Sequence, residues 1–109
     1  MNFSKWLVKK MKFYHKASPL NRESILLNGL IPQIGDSYQC HSEGKYGPVV
    51  FVCEDKSYDS TWDDDIYEIE LDEKVLHKDL SIDGCFFTKE KIDISLITLI
   101  YKGSGDSTF

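Results

Sequence analysis

The stretch Lys12-Phe13-Tyr14-His15-Lys16-Ala17-Ser18-Pro19, continuing through Leu20 to Asn28 and halted by Gly29-Leu30-Ile31-Pro32, decides how this chain is read. It predicts a strand, a polar tip, a short helix and a hard stop. Ser18 before Pro19 pairs a preferred N-cap with the residue best suited to the first helical position. Gly29 stands where a helix needs a positive φ, Leu30 is positioned to fold back on Ile25 in a Schellman ending, and Pro32 prevents the helix resuming. The helix is therefore expected to run roughly ten residues. His15 then lies at the C-terminal end of a strand, just before a helix N-terminus whose N–H groups favour an anion.

The chain has 109 residues, of which 41% are hydrophobic and 13% aromatic, the composition of a folded domain rather than a disordered one. One domain spanning 1–109 is expected, with 1–11 a basic leader and 103–109 a loose tail. Trp6-Leu7-Val8 among the lysines is too short for a signal core or a membrane span. The leader reads as a short amphipathic helix or a frayed end, and no membrane partner is expected. Cys40, Cys53 and Cys85 are widely spaced and odd in number, which fits a reducing compartment. The expected location is cytoplasmic. The net charge of -5 concentrates between Glu54 and Glu73, so nucleic acid is not a favoured partner. That acidic run reads as a solvated edge or as a docking face for a basic partner.

Beyond the helix, Gln33 to Gly47 reads as a long loop carrying Tyr38, Cys40, His41 and Tyr46. Pro48 to Cys53 reads as a central strand buried on both faces. Glu54 to Asp65 is a polar connection with Trp62 as an anchor and a possible helical turn at Lys56 to Tyr58. Ile66 to Asp72 alternates, with Tyr67, Ile69 and Leu71 facing inward and Glu68, Glu70 and Asp72 outward. Ile82 to Thr88 and Ile94 to Tyr101 are two further strands. The expected class is α+β, with a split, twisted, mainly antiparallel sheet and one clear helix near the N-terminus.

Strong local signatures are missing: the sequence holds no Gly-x-Gly-x-x-Gly, no phosphate-binding Gly-Lys-Ser/Thr, no Cys-x-x-Cys and no His-Glu-x-x-His. No metal site is expected, and Cys53 and Cys85 sit in apolar strands where thiols usually pack.

Three blocks taken together resemble the ADP-ribosyltransferase superfamily. They are Tyr14-His15-Lys16-Ala17-Ser18 with Ile25-Leu26-Leu27-Asn28-Gly29-Leu30-Ile31-Pro32, then Gly47-Pro48-Val49-Val50-Phe51-Val52-Cys53, and last Asp83-Gly84-Cys85-Phe86-Phe87-Thr88 with Ile92 to Ile97. The resemblance implies a split sheet forming a cleft for NAD. It assigns His15 to ribose hydroxyls, with Tyr14 and Ser18 beside it and Phe51 near the nicotinamide. Tyr46, a loop ring able to stack, joins this set. Asp83, with His15, becomes the catalytic pair, the carboxylate facing the positive charge that grows as nicotinamide leaves. The implied activity is transfer of ADP-ribose from NAD to a macromolecular acceptor, a protein first, and the small size suits an effector or toxin.

The chain departs from the family pattern at Lys16, Ala17, Phe51 and Asp83, so the resemblance argues for a ligand more firmly than for a reaction. His15 has a plain alternative role, bonding a backbone carbonyl at a strand end. Asp83-Gly84 is also a common turn pair. Two other functional readings stand beside the first: an RNA 2′-phosphotransferase-like enzyme, and a catalytically degenerate binding or inhibitory module acting through its acidic face.

Overall fold

The computed structural model describes residues 10–33, 46–55, 63–80 and 83–106. The expectations for the leader up to Lys9, for Tyr38, Cys40 and His41 in the long loop, for Lys56 to Tyr58, for Trp62 and for the last three residues lie outside the described residues.

Six antiparallel strands form one open sheet in the order β4-β5-β2-β1-β3-β6. They are β1 (Lys10–Ala17), β2 (Val50–Cys53), β3 (Asp65–Asp72), β4 (His77–Lys78), β5 (Cys85–Thr88) and β6 (Ile97–Tyr101), joined by one helix, α1 (Arg22–Asn28). The domain is α+β, as its patterning predicts. Each strand carries the signature that selects it. In β3, Tyr67 and Ile69 are fully buried and Leu71 nearly so, while Glu68, Glu70 and Asp72 turn outward. All four residues of β2 are buried because its alternate side chains enter two different clusters. Val50 and Val52 join Phe13, Tyr67, Ile69, Ile25, Leu30 and Ile92 under the helix, whereas Phe51 and Cys53 join Val49, Cys85 and Phe87 on the other face.

The helical segment begins as a 3-10 turn, Pro19–Asn21, and continues as the seven residues of α1. Ser18 caps it, its hydroxyl accepting from the Leu20 N–H at 3.2 Å. Its ending differs from the expected Schellman motif. The Gly29 N–H returns to Ile25 O at 2.8 Å, but the Leu30 N–H bonds Ile92 O at 3.0 Å, so the chain leaves the helix by pairing with a distant segment. Gly29 has φ 81 and ψ -169, a region essentially reserved for glycine, and a Cβ there would run into the Ile92 carbonyl.

The anchor of the helix is an ion pair that no local motif announces. Arg22 grips the carboxylate of Asp65 with two N–H donors, Nε to Oδ2 at 2.8 Å and Nη2 to Oδ1 at 2.7 Å. Asp65 is fully buried, and it also accepts from the Gly103 N–H at 2.8 Å and the Tyr67 hydroxyl at 3.3 Å. Gly103 therefore passes directly over this pair, where a Cβ would strike the Asp63 carbonyl. Neighbouring bonds extend the hold: Asp63 N–H to Asp106 O, Gly105 N–H to Asp63 O, Ser104 N–H to the Asp63 carboxylate. The tail expected to be loose from Gly103 onward is thus hydrogen-bonded at least as far as Asp106.

Burial pushes the Asp65 carboxyl up, but the Arg22 guanidinium, the Gly103 N–H and the Tyr67 hydroxyl together hold it below the ordinary value of 3.8. Burial, then Asp65, push the Tyr67 hydroxyl up to about 12. Because the folded pKa of Asp65 is depressed, its contribution is complete above about pH 4 and is lost as pH falls through the folded value. Asp65→Asn keeps the shape and removes the charge, and it should lower unfolding stability by roughly 2 kcal/mol at neutral pH. Urea melts at pH 7 and across the acid range will show a lower midpoint and a shallower acid-side loss than the wild type.

Candidate functional site

The sheet is only sparsely paired at its centre. β1 pairs with β3 at all eight of its positions, from Lys10↔Asp72 to Ala17↔Asp65. With β2 it shares a single pair, Tyr14↔Cys53, although β2 is fully paired with β5 on its other side. Continuing the ladder would bring the β1 backbone at Lys16 opposite Phe51. Instead, the Phe51 carbonyl meets the His15 side chain, with Nδ1 2.6 Å from the oxygen. A side chain closes the gap where backbone pairing stops.

This bond fixes the state of the imidazole. A carbonyl only accepts, so Nδ1 carries the proton and, in the neutral ring, Nε2 is a bare acceptor. Burial pushes the His15 pKa below 6.5, while the Phe51 carbonyl and the charge of Asp64 pull in the opposite direction and do not prevail. The ring is neutral at pH 7. His15 is half-buried and faces the helix side of the sheet by its alternation with Phe13.

The other expected site residues are distributed around this point rather than gathered at it. Tyr14 lies on the opposite face, and its hydroxyl donates to Glu68 at 3.5 Å. Ser18 is engaged as the helix cap but still has its own O–H to donate. The Phe51 ring is packed edge-on to Phe87 with a centroid distance of 6.1 Å, so this residue brings its carbonyl, not its ring, to the gap. Tyr46 stacks on Phe87 at 4.1 Å, and its hydroxyl donates to Asp79 at 3.4 Å.

Asp83 is exposed in the turn before β5. Glu54 N–H bonds Gly84 O, which extends the β2–β5 register by one pair and sets Asp83 level with Lys12 of β1. By strand rise and spacing its Cα lies roughly 14 Å from that of His15. The carboxylate whose charge reaches His15 is Asp64, which is 5% exposed and immediately precedes β3, beside the end of β1. Reading the sequence placed Asp64 and Asp65 in a solvated acidic run; both are buried. The only local hint was that three aspartates immediately precede an alternating strand.

The expected anion site at the helix N-terminus does not form, because the N–H groups there are already taken. Leu20 N–H goes to Ser18 Oγ, Asn21 N–H to Ser18 O and Arg22 N–H to Pro19 O. Among the described residues, no group of three or more His, Cys, Asp or Glu converges to hold a metal ion, and no helix is long and apolar enough to cross a membrane.

No protein-family model, curated protein or solved structure matches this chain.

The imidazole state is directly observable. In a long-range proton–nitrogen spectrum at pH 7, His15 will show a protonated Nδ1 and an unprotonated Nε2, with a titration midpoint below 6.5. Since the folded ring binds protons less readily than the unfolded one, stability rises with pH between the folded midpoint and 6.5 and is flat above. His15→Gln will remove that slope.

Proposed function

We propose that the chain is an ADP-ribosyltransferase-like protein that binds NAD at the gap between β1 and β2. One observation carries this reading: the β1–β2 ladder is limited to Tyr14↔Cys53, and beyond it His15 is held by Phe51 O with its Nε2 turned away as an acceptor. Among the described residues none bonds Nε2. A neutral acceptor beside a break in strand pairing suits a ribose hydroxyl, which can donate to Nε2.

The fit is to the ribose and not to every part of the ligand. Phe51 is too enclosed to stack on a nicotinamide, and the helix start offers no spare N–H for a pyrophosphate. NAD, when bound, supplies the nicotinamide–ribose bond whose rupture releases ADP-ribose to a macromolecular acceptor. What this chain would add is orientation through His15 and a negative charge near the sugar, with Asp64 closer to His15 than the register allows Asp83 to be.

That separation favours a further reading, distinct from the module acting through its acidic face: a protein that holds the nucleotide without transferring its sugar. The two readings share the site and differ in outcome. NAD at millimolar concentration will raise the Tm of the wild type and leave His15→Ala unshifted, since a ligand that binds only the folded state stabilises it. Labelled NAD will mark an acceptor in a lysate if the protein is a transferase and leave none if it is a binder. A wild type indifferent to NAD would remove both.

A further inference from the structure

Cys53 and Cys85 stand directly opposite one another on β2 and β5, with their sulfurs 2.8 Å apart. No atom intervenes between them, and they are thiols rather than a disulfide. The register explains the approach. Glu54 N–H bonds Gly84 O, so the adjacent pair, Cys53↔Cys85, occupies a non-hydrogen-bonded position, and the Cys85 carbonyl turns away to accept from Asp79 N–H at 2.9 Å. At such positions opposed Cα atoms come within about 4.5 Å and side chains are nearest, inside the span that a disulfide bridges.

We infer that Cys53 and Cys85 form a dithiol site that hydroperoxides oxidise to a cross-strand disulfide. Burial selects the oxidant: each cysteine is 5% exposed, so a small peroxide is admitted where a bulky disulfide is not. At the strand end beside the pair, Glu54 and Asp83 are exposed. Contact between the sulfurs assists the first step, because when one thiol gives its proton to solvent the other can donate its S–H to the resulting thiolate.

The thiolate attacks one peroxide oxygen and the O–O bond breaks, giving a sulfenic acid; the departing hydroxide takes up a proton and leaves as water. The second sulfur then attacks the sulfenic sulfur. An S–S bond forms, the S–O bond breaks, and the hydroxide leaves with the second thiol's proton as another water. Two electrons pass from the sulfurs to the peroxide, and a small dithiol, admitted when the strand end opens locally, reverses the change by exchange. The site stands apart from any NAD reading, since neither sulfur belongs to the gap at His15.

The test uses the full chain carrying Cys40→Ser, which removes the third thiol. After treatment with hydrogen peroxide, alkylation in denaturant and proteolysis, the peptides containing Cys53 and Cys85 will be recovered linked. Intact mass will fall by two hydrogens, dithiothreitol will restore it, and Tm will rise by about 10 °C because the bridge constrains the unfolded chain. In the added variant Cys85→Ala, Cys53 will yield a sulfenic acid trapped by a dimedone probe. Full alkylation of both cysteines after peroxide, isolated sulfinic acids, or disulfides joining two chains would each overturn the inference.

Discussion

Everything in this domain is arranged about the point where β1 stops being a neighbour of β2. On one side, β1, β3 and β6 form a continuous ladder; on the other, β2, β5 and β4 form a second. Tyr14↔Cys53 is the pair that joins them, and the His15–Phe51 bond takes over where that pairing ends. A carbonyl left without a partner at this depth would cost free energy, so a side-chain donor is a requirement of the opening and not an ornament of it. Meeting that requirement also orients the imidazole and fixes which ring nitrogen carries the proton.

The opening is kept in place from behind. Arg22 and Asp65 bind the start of the helix to the start of β3, next to the end of β1, and the segment from Gly103 to Asp106 closes over both. A half-buried ion pair contributes little net stability compared with an apolar contact of the same size, but it specifies geometry, because the fully buried Asp65 cannot be left without its cation. Here it fixes where the chain turns after Ala17. It thereby sets the position of Ser18 relative to His15.

Local chemistry made much of the fold legible in the sequence. Ser18-Pro19 announced the helix, the alternation of Tyr67, Ile69 and Leu71 announced β3, and the run Val50 to Cys53 announced a strand buried on both faces. What stayed hidden depends on register between remote segments. His15 and Phe51 are 36 residues apart, Arg22 and Asp65 are 43 apart, and Cys53 and Cys85 are 32 apart; none of these pairs leaves a spacing signature. For the same reason Asp83 was grouped with His15 on sequence resemblance, whereas the residue just ahead of β3, Asp64, is the one whose charge acts on the histidine. The Schellman ending failed on a similar ground: a partner at Ile92 competed for the Leu30 N–H and won.

The proposal that the gap between β1 and β2 receives a nucleotide is tested most directly by mapping amide chemical shifts while NAD is added to the labelled protein. The account predicts changes concentrated at Tyr14 to Ser18 and at Val50 to Val52, with the remote edge strand β6 unaffected. Changes confined to β6 or to the acidic outer face of β3, or no change at any concentration reached, would contradict it.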